Sequence, residues 1–436
     1  MSRLLFPAAL ALAAALRVLM TLSYDSARLY WYDSFEYLDL ASHLRPGEAF
    51  HPTGYAWFLW LLRPFHSVAL VSAIQHLLGL GVGVLVYLLL RRHAVPAWGA
   101  TLAAVPALFD PAFLRQEHAV LSDLQVYALL MGALAVLMWR PRISAPAAAL
   151  AGLLVALAGL TRTAAAPVLL LVVVFLLVRR AGWRVVAAAA TAGLIPLVAY
   201  AGWFQQVHGR FGLSAADGVS LWARTMTFAD CRTIQPPAEL RPLCPNGTVA
   251  DAASEYVWAP GASINVLPGG RFAHNDQARA FALRAIAAQP LDYLAAVAGD
   301  TALAFSWTPV AHPRRVSSGL AFQRGTWALP DQPLVSRVRA EYDPSIGAMS
   351  SVEPYATVLS LYTYPWIVHG PLLALILAAG LWRRAALLPW GIAIVLLVGP
   401  VAALDFDQRY VTPAIPFACV AAALAVTGLT KARNLS

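Results

Sequence analysis

The sequence predicts an all-α polytopic membrane protein with about ten transmembrane helices and one extracytoplasmic domain of mixed structure. Three observations predict this fold class. Of the 436 residues, 60% are hydrophobic and only 12% are charged, whereas a soluble protein carries about 25% charged residues. Apolar runs long enough to cross a bilayer recur along the chain. Basic residues stand in small groups at the ends of these runs, as topology signals do.

The apolar runs give the order of the predicted helices. They cover roughly residues 4–22, 67–90, 96–114, 121–139, 146–163, 166–178, 185–204, 361–382, 386–404 and 411–430. The first run contains Arg17, which interrupts the apolar region. A retained helix is therefore favoured over a cleaved signal peptide.

The basic groups predict the orientation. On a ten-helix count they all fall on one side: Arg91-Arg92, Arg140 and Arg142, Arg179-Arg180 with Arg184, Arg383-Arg384, and Lys431 with Arg433. The positive-inside rule makes that side the cytoplasm and places both termini there. The loops at 23–66, 115–123, 205–355 and 405–410 then lie outside. Charges arranged in this way also argue against a nucleic-acid partner, despite the net charge of +9.

Three regions follow from this layout: a seven-helix membrane module at 1–204, the extracytoplasmic domain at 205–355, and a three-helix module at 356–436. The domain holds Cys231 and Cys244, thirteen positions apart, which predicts a disulfide; two free thiols are the alternative. Residues 275–286 have the apolar period of an amphipathic helix. A single lysine against thirty arginines indicates a GC-rich bacterial genome, and hence the bacterial cytoplasmic membrane.

The first outer loop carries a candidate site. Asp33, Glu36 and Tyr37 are spaced to share one helical face just beyond the first predicted span, and His51 and Tyr55 follow among aromatic residues. A carboxylate here could act as a general base. The alternative is an ordinary interfacial loop whose aromatic residues anchor it and whose acids are solvated.

The second outer loop adds a second acidic candidate. Asp123 stands at the edge of the fourth predicted helix, where an acid is costly unless it is paired or hydrated. The alternative is a helix N-cap formed by Ser122 or Asp123. Glu117 and His118 precede it and could bind a divalent metal, although two adjacent residues are weak evidence for one.

The last outer turn and the end of the fifth predicted helix carry arginines. Arg409, next to Tyr410, and Arg162 stand where a planar guanidinium would suit a phosphate on a membrane-embedded ligand. A salt bridge from Arg409 to Asp405 or Asp407 is the alternative.

Taken in order, these motifs resemble the GT-C membrane glycosyltransferases. They are an apolar first helix containing an arginine, an Asp33-x-x-x-Tyr37 loop, a His51-Pro-x-Gly-Tyr55 segment, the stretches at 117–123 and 159–162, and Arg409-Tyr410 with Pro413. The resemblance touches most of the membrane portion. Many members have two adjacent acids in the first loop, whereas here Ser34 follows Asp33, which leaves the role of the second acid open.

The resemblance implies an inverting transfer of a hexose or pentose from a polyprenyl-phosphate carrier to an acceptor hydroxyl at the outer face. Asp33 would be the base, with Glu36 beside it; Asp123, Glu117 and His118 would form an acceptor or second acidic site. Arg409, Arg162 and Tyr410 would bind the donor phosphate, and Tyr37, His51 and Tyr55 would shape the pocket. The acceptor could be a glycan, a lipid or a protein, and a divalent metal is possible but not required by the sequence. The leading alternative is a secondary transporter or lipid flippase, which would place charged groups near mid-membrane and show internal symmetry.

Overall fold

The computed structural model describes residues 4–30, 32–47, 49–308, 310–314, 322–362 and 368–433, with side chains up to 427. It is mostly helical, as the sequence predicts. In chain order the helices are α1 (Leu5–Ser23), α2 (Asp33–Ser42), α3 (Gly54–Leu62), α4 (Val68–Arg92), α5 (Ala97–Phe109), α6 (Pro111–Glu117), α7 (Asp123–Met138), α8 (Ala145–Thr161), α9 (Val168–Val178), α10 (Trp183–His208), α11 (Asp217–Thr225), α12 (Cys231–Ile234), α13 (Ala253–Trp258), α14 (Asn275–Ala288), α15 (Pro290–Ala302), α16 (Pro333–Glu341), α17 (Tyr355–Ser360), α18 (Gly370–Gly380), α19 (Leu387–Ala403), α20 (Gln408–Val411) and α21 (Ile415–Arg433). One short antiparallel hairpin joins β1 (Thr326–Trp327) to β2 (Met349–Ser350).

The chain is a multi-pass membrane protein. Within the described residues, five helical stretches are long and apolar enough to cross a bilayer, and a bent pair of helices brings the number to at most six. The five are Leu5–Ser23, Val68–Arg92, Trp183–His208, Arg384–Ala403 and Gln408–Thr427. Each of the ten predicted runs overlaps an apolar helix, but the others are shorter than 18 residues. The count of ten spans therefore stays a prediction.

Two predicted runs differ from the helices that the structure contains. The third run is broken at Asp110, where α5 and α6 meet at 52°. The Asp110 side chain accepts a hydrogen bond from the Ala112 amide at 2.9 Å, so it caps α6, and Pro111 starts the new helix without an amide to donate. The eighth run begins before α18 does, and 363–367 of that run lie outside the described residues.

The first outer loop is folded rather than extended. Residues of α2 and α3 pack with Val335 and Val338 of α16 into a buried apolar cluster, which includes Tyr37 and Tyr55. The helical face predicted from residues 33–37 lies on α2, whereas the sequence did not predict α3. The aromatic and aliphatic side chains of this segment pack against each other and against α16, and every residue of α2 after its first is buried.

The described part of 205–355 forms more than one packed body. Residues between 219 and 285 build a cluster around Trp222 and Phe281. Asn275, at the start of α14, accepts hydrogen bonds from the Gly218 and Val219 amides at 2.8 and 3.0 Å. The later part packs elsewhere: α16 lies on α2, and Met349 packs near the end of α1. The predicted amphipathic helix at 275–286 is present as α14.

The structure joins Cys231 to Cys244 in a disulfide, and Cys419 is free and buried. We expect mass mapping of non-reduced peptides to recover the linked pair from the purified chain. Labelling of the 205–288 region should occur only from the outer side of the membrane. Recovery of both cysteines as free thiols, or labelling from the cytoplasmic side, would contradict the topology.

Candidate active site

A cavity of about 860 Å³ lies where the first outer loop, the ends of several apolar helices and the 205–288 region meet. Its walls combine charged and apolar groups. Asp33, His51, Arg162, Arg409 and Tyr410, all predicted as site residues, line it. These residues come from three distant stretches of the sequence, at 33–51, 162 and 409–410, so only the tertiary fold brings the three together.

Asp33 is the first residue of α2, and the start of this helix lies at the cavity. Tyr32, just before it, has φ 48°, a left-handed backbone conformation that costs a non-glycine residue about 1–3 kcal/mol. Backbone pairing holds the preceding segment: the Arg28 amide donates to the His118 carbonyl, and the Val120 amide donates to the Arg28 carbonyl. The first and second outer loops are thereby fixed to each other.

Ser34 explains the departure from the two-acid pattern. Its hydroxyl is fully buried, donates to the Val120 carbonyl at 2.8 Å and accepts from the Tyr30 amide at 2.8 Å. The residue after Asp33 therefore connects the two loops and does not face the cavity. Asp123, from the second loop, supplies the carboxylate nearest to the arginine pair.

Asp33 is held between two cations. Its Oδ2 accepts a hydrogen bond from Arg409 Nη1 at 3.1 Å, and its Oδ1 lies 3.9 Å from His51 Nε2. Burial alone would raise the pKa of the Asp33 carboxyl, but the charges of His51 and Arg409 outweigh burial and hold that pKa below its ordinary value. Asp33 is therefore ionised at neutral pH, with one oxygen directed away from Arg409.

Glu36 acts on His51. Its Oε2 lies 2.5 Å from His51 Nδ1, and its Oε1 is buried without a hydrogen-bond partner among the described residues. Burial would lower the pKa of His51, but the carboxylates of Glu36 and Asp33 outweigh it, so the pKa lies above its ordinary value. The Tyr37 ring packs on His51 at 4.7 Å between centroids. Glu36 thus orients His51 and favours its cationic form beside Asp33.

Arg162 and Arg409 form a pair around Asp123. Arg162 donates to Asp123 Oδ1, and Arg409 Nε lies 3.6 Å from the same oxygen. Both guanidinium groups also lie over the Tyr410 ring, at 4.9 and 5.7 Å from its centroid. Asp123 is almost fully buried, and its Oδ2 has no hydrogen-bond partner in the described part of the chain. Two arginines are therefore presented side by side, with one buried acid behind them.

The contacts of Arg409 and Ser122 bear on the alternative roles that the sequence allowed, a salt bridge within the last outer turn and a helix N-cap. Asp405 pairs with His312 at 2.8 Å and accepts from Ser254, and Asp407 caps the Arg409 backbone amide at 2.8 Å. Arg409 therefore makes its ion pairs with Asp33 and Asp123, and not with the two acids of its own turn. Ser122 does not cap α7 with its side chain; its hydroxyl contacts the Tyr37 hydroxyl at 2.9 Å.

Glu117 and His118 do not reach the cavity. Glu117 is fully buried and pairs with Arg17 at 2.7 Å and with His76 at 2.9 Å. His118 contacts His76 at 3.2 Å and the Ser26 carbonyl at 3.2 Å. The two residues therefore lie within the helix bundle, where Glu117 bridges Arg17 of α1 and His76 of α4. Their assignment to an acceptor site does not fit this placement.

Tyr37 and Tyr55 lie behind the cavity wall. Tyr55 donates to Gln75 Oε1 at 2.6 Å, and its ring meets Tyr37 edge-on at 4.9 Å. Sequence reasoning missed the part of the wall that comes from the 205–288 region, namely Asp217, Ser220, Ser254, Trp258, Phe272 and Arg279, as well as Phe50. No spacing signal links these residues to Asp33, because they meet it only through the docking of the domain.

One group of side chains has the residue types that ligate metal ions. Among the described residues, one trio has ligand atoms close enough to hold an ion: Asp300, His312 and Asp405. Asp300 already pairs with Arg224 at 2.5 Å, and Asp405 is bonded to His312 and Ser254. Those contacts satisfy the trio as an ion-pair network that ties the domain to the turn before α20.

Comparison with known proteins gives weak structural neighbours. No protein-family model and no curated sequence matches the chain. The apo oligosaccharyltransferase of Archaeoglobus fulgidus aligns with 99% of this chain and 51% of its own, at TM-score 0.43 and 14% identity. ArnT from Cupriavidus metallidurans, bound to undecaprenyl phosphate, aligns with 97% of this chain and 77% of its own, at TM-score 0.39 and 15% identity.

Both neighbours are GT-C glycosyltransferases. This is the family that the sequence motifs resemble. The chain spans about half the length of the archaeal oligosaccharyltransferase. Similarity at these TM-scores does not assign a reaction, so the residues of the cavity must support any function proposed for the chain.

Proposed function

We propose that the chain is a membrane glycosyltransferase that moves a sugar from a polyprenyl-phosphate carrier to an acceptor hydroxyl at the outer membrane face. The observation that carries this proposal is the wall of the cavity. An ionised carboxylate, Asp33, stands there beside two arginines, Arg162 and Arg409, at the ends of apolar helices. A transfer of this kind needs one base and one site for a departing phosphate, both next to lipid.

Asp33 is the proposed base. The acceptor oxygen forms a bond to the anomeric carbon while its proton passes to Asp33 Oδ1, the oxygen that Arg409 does not hold. The bond between the anomeric carbon and the phosphate oxygen breaks, and its electron pair leaves with the polyprenyl phosphate. Attack opposite to the leaving group inverts the anomeric centre. His51, whose cationic form Glu36 favours, helps to keep the pKa of Asp33 below its ordinary value.

The arginine pair is the proposed phosphate site. A guanidinium group has five N–H donors in a planar fork, so Arg409 can keep its contacts to acids while it donates to phosphate oxygens. Apolar residues of neighbouring segments, Pro400, Ala403, Leu404 and Ala164, line the cavity beside the pair. This part of the wall suits the first units of a prenyl chain. As the carrier phosphate gains charge in the transition state, fixed positive charge stabilises it.

The test is transfer of a labelled sugar from a polyprenyl-phosphate donor by the purified chain, with release of polyprenyl phosphate measured in parallel. We expect release that depends on the chain. If the chain instead moves the intact donor across proteoliposome membranes without cleaving it, the flippase interpretation replaces this one.

We expect Arg409→Lys to lower the rate of sugar transfer. Lysine keeps the charge but loses the planar fork that can hold two oxygens at once. A charge-assisted hydrogen bond contributes about 1.5–3 kcal/mol, so the loss should be roughly ten- to a hundredfold. Rates measured at several donor concentrations would show whether donor affinity or turnover falls.

Arg384→Lys is the matched control, because Arg384 lies at the start of the preceding apolar stretch, Arg384–Ala403, and does not line the cavity. It should behave as the unaltered chain does. Full activity of Arg409→Ala would mean that Arg409 serves only to pair with Asp33 and Asp123.

A further inference from the structure

The cavity has a second wall that the proposed chemistry leaves unused. Phe50, Trp258 and Phe272 line it and form what we call the aromatic shelf. The Phe50 ring lies 5.6 Å from that of Trp258 and 5.8 Å from that of Phe272, between centroids. The Arg271 guanidinium lies over the Trp258 and Phe272 rings, at 4.7 and 5.9 Å from their centroids, and Trp258 is still 47% exposed and Phe272 39% exposed. Large aromatic rings are normally buried, so a partly open cluster inside a cavity indicates a surface for a ligand.

The aromatic shelf has charged neighbours in the same cavity. Asp217 and Arg279 form an ion pair that lines it, and both side chains stay accessible, at 45% and 40%. Hydrogen bonds from Arg210 and Asn275 outweigh burial and hold the pKa of Asp217 below its ordinary value, so its carboxylate is an acceptor at neutral pH. Flat aromatic rings next to planar, charged hydrogen-bonding groups offer both an apolar and a polar contact to one ligand.

We propose that the aromatic shelf binds a sugar ring of the acceptor, so that the acceptor is a glycan or glycolipid and not a protein side chain. The C–H groups on one face of a pyranose ring carry partial positive charge and pack on the negative face of an aromatic ring. The hydroxyl groups at the ring edge can then donate to Asp217 and accept from Arg279.

The position of the aromatic shelf favours the acceptor over the donor sugar. The arginine pair is carried by residues of the helical module, at 162 and 409, whereas Trp258 and Phe272 belong to the 205–288 region. Phe50 joins the two, because it adjoins His51 and its neighbour Ala49 accepts a hydrogen bond from the Ala215 amide at 3.0 Å. A sugar held on the domain side can present a hydroxyl toward Asp33 while the donor phosphate stays at the membrane side.

The assignment to the acceptor rests on the proposed function, so binding is tested first without any donor. The full chain in lipid nanodiscs is titrated with methyl α-mannoside, methyl β-glucoside, methyl β-galactoside and methyl α-arabinofuranoside, and saturation-transfer NMR detects contact. We expect at least one glycoside to bind, and Trp258→Leu to weaken it by roughly tenfold, since leucine keeps apolar bulk but removes the aromatic face. Trp258→Phe should retain most of the binding.

Trp183→Leu is the matched control, because Trp183 is 75% exposed at the start of α10 and does not line the cavity. It should bind as the unaltered chain does. Octyl glycosides of the same sugars that bind more tightly than the methyl glycosides would identify a glycolipid acceptor; equal binding would identify a lipid-free glycan. Binding of none of the four sugars, or equal binding by Trp258→Leu, overturns the inference, as does binding of a Ser/Thr peptide alone.

Donor turnover separates this inference from the proposed function. Trp258→Leu should raise the KM for a glycoside acceptor by a larger factor than it slows the hydrolysis of the polyprenyl-phosphate sugar by water. A parallel loss of donor hydrolysis would place the donor sugar on the aromatic shelf and overturn the assignment to the acceptor. If the chain binds glycosides but never cleaves the donor, the inference of a sugar-binding site is supported and the proposed transferase function is contradicted.

Discussion

Asp33→Asn should abolish most sugar transfer. The amide keeps the size and the hydrogen-bonding capacity of the side chain but removes the basic oxygen. Loss of a general base typically lowers a rate by about 10²–10⁴-fold. The measurement is transfer of a labelled sugar from a polyprenyl-phosphate donor by purified variants whose folding has been checked. Of all the substitutions at the cavity, this one is expected to lower the rate most.

Two further substitutions test whether Asp33, and not a neighbouring acid, is the base. Glu36→Gln should have a milder effect, because Glu36 contacts His51 and not the cavity. Asp123→Asn should weaken the arginine pair without removing the base. Normal transfer by Asp33→Asn with no transfer by Asp123→Asn would show that Asp123 is the base. Normal transfer by both Asp33→Asn and Asp123→Asn would contradict the proposed enzymatic function and favour a transporter.

The pH dependence of the Asp33 step follows from its neighbours. The pKa of the carboxyl lies below its ordinary value of 3.8, so the base is lost only as pH falls through that lowered value. Transfer limited by Asp33 should therefore be constant on the acid side from neutral pH down to about pH 5, where even a carboxyl of ordinary pKa is almost fully ionised. Replacing His51 by Gln removes one of the two cations and should move that acid limb to higher pH.

Glu117→Ala should strongly destabilise the fold. Glu117 is fully buried with Arg17, whose guanidinium otherwise donates, within the described part of the chain, to the backbone carbonyls of Ala13, Ala107 and Leu108. Removing one partner of a buried ion pair leaves an uncompensated charge and costs about 3–5 kcal/mol. Cys419 provides the measurement, because this free thiol is buried and reacts with a thiol-specific fluorophore as the protein melts.

The double variant Arg17→Met with Glu117→Gln provides the sharper comparison. It removes both charges, so it should be less destabilised than Glu117→Ala. Asp331→Asn, at an exposed position, is the matched control and should melt as the unaltered chain does. A melting temperature of Glu117→Ala equal to that of the unaltered chain would show that Arg17 needs no acidic partner.

Composition and spacing determined the class of the protein because they act locally. A low charge content and apolar runs of spanning length predict membrane helices wherever they occur, and the structure has helices at each run. The all-α class and the helix at 275–286 required no knowledge of the fold. Asp123 was a candidate from sequence because an acid at the edge of an apolar helix is costly unless it has a partner. Asp33, His51, Arg162 and Arg409 were candidates from their motifs, and the structure places these four in the wall of one cavity.

In contrast, which of these charged residues pair with each other was decided by the tertiary structure. Arg409 pairs with Asp33, 376 positions away, and not with the acids beside it. Glu117 pairs with Arg17 of α1 and does not line the cavity, and α4 admits its carboxylate only because Gly79 has no side chain: a Cβ there would lie 1.9 Å from Glu117 Oε1. The aromatic shelf is assembled by the docking of the 205–288 region. Contacts between distant segments depend on which surfaces are buried against each other. The local periodicity of the sequence does not predict those surfaces.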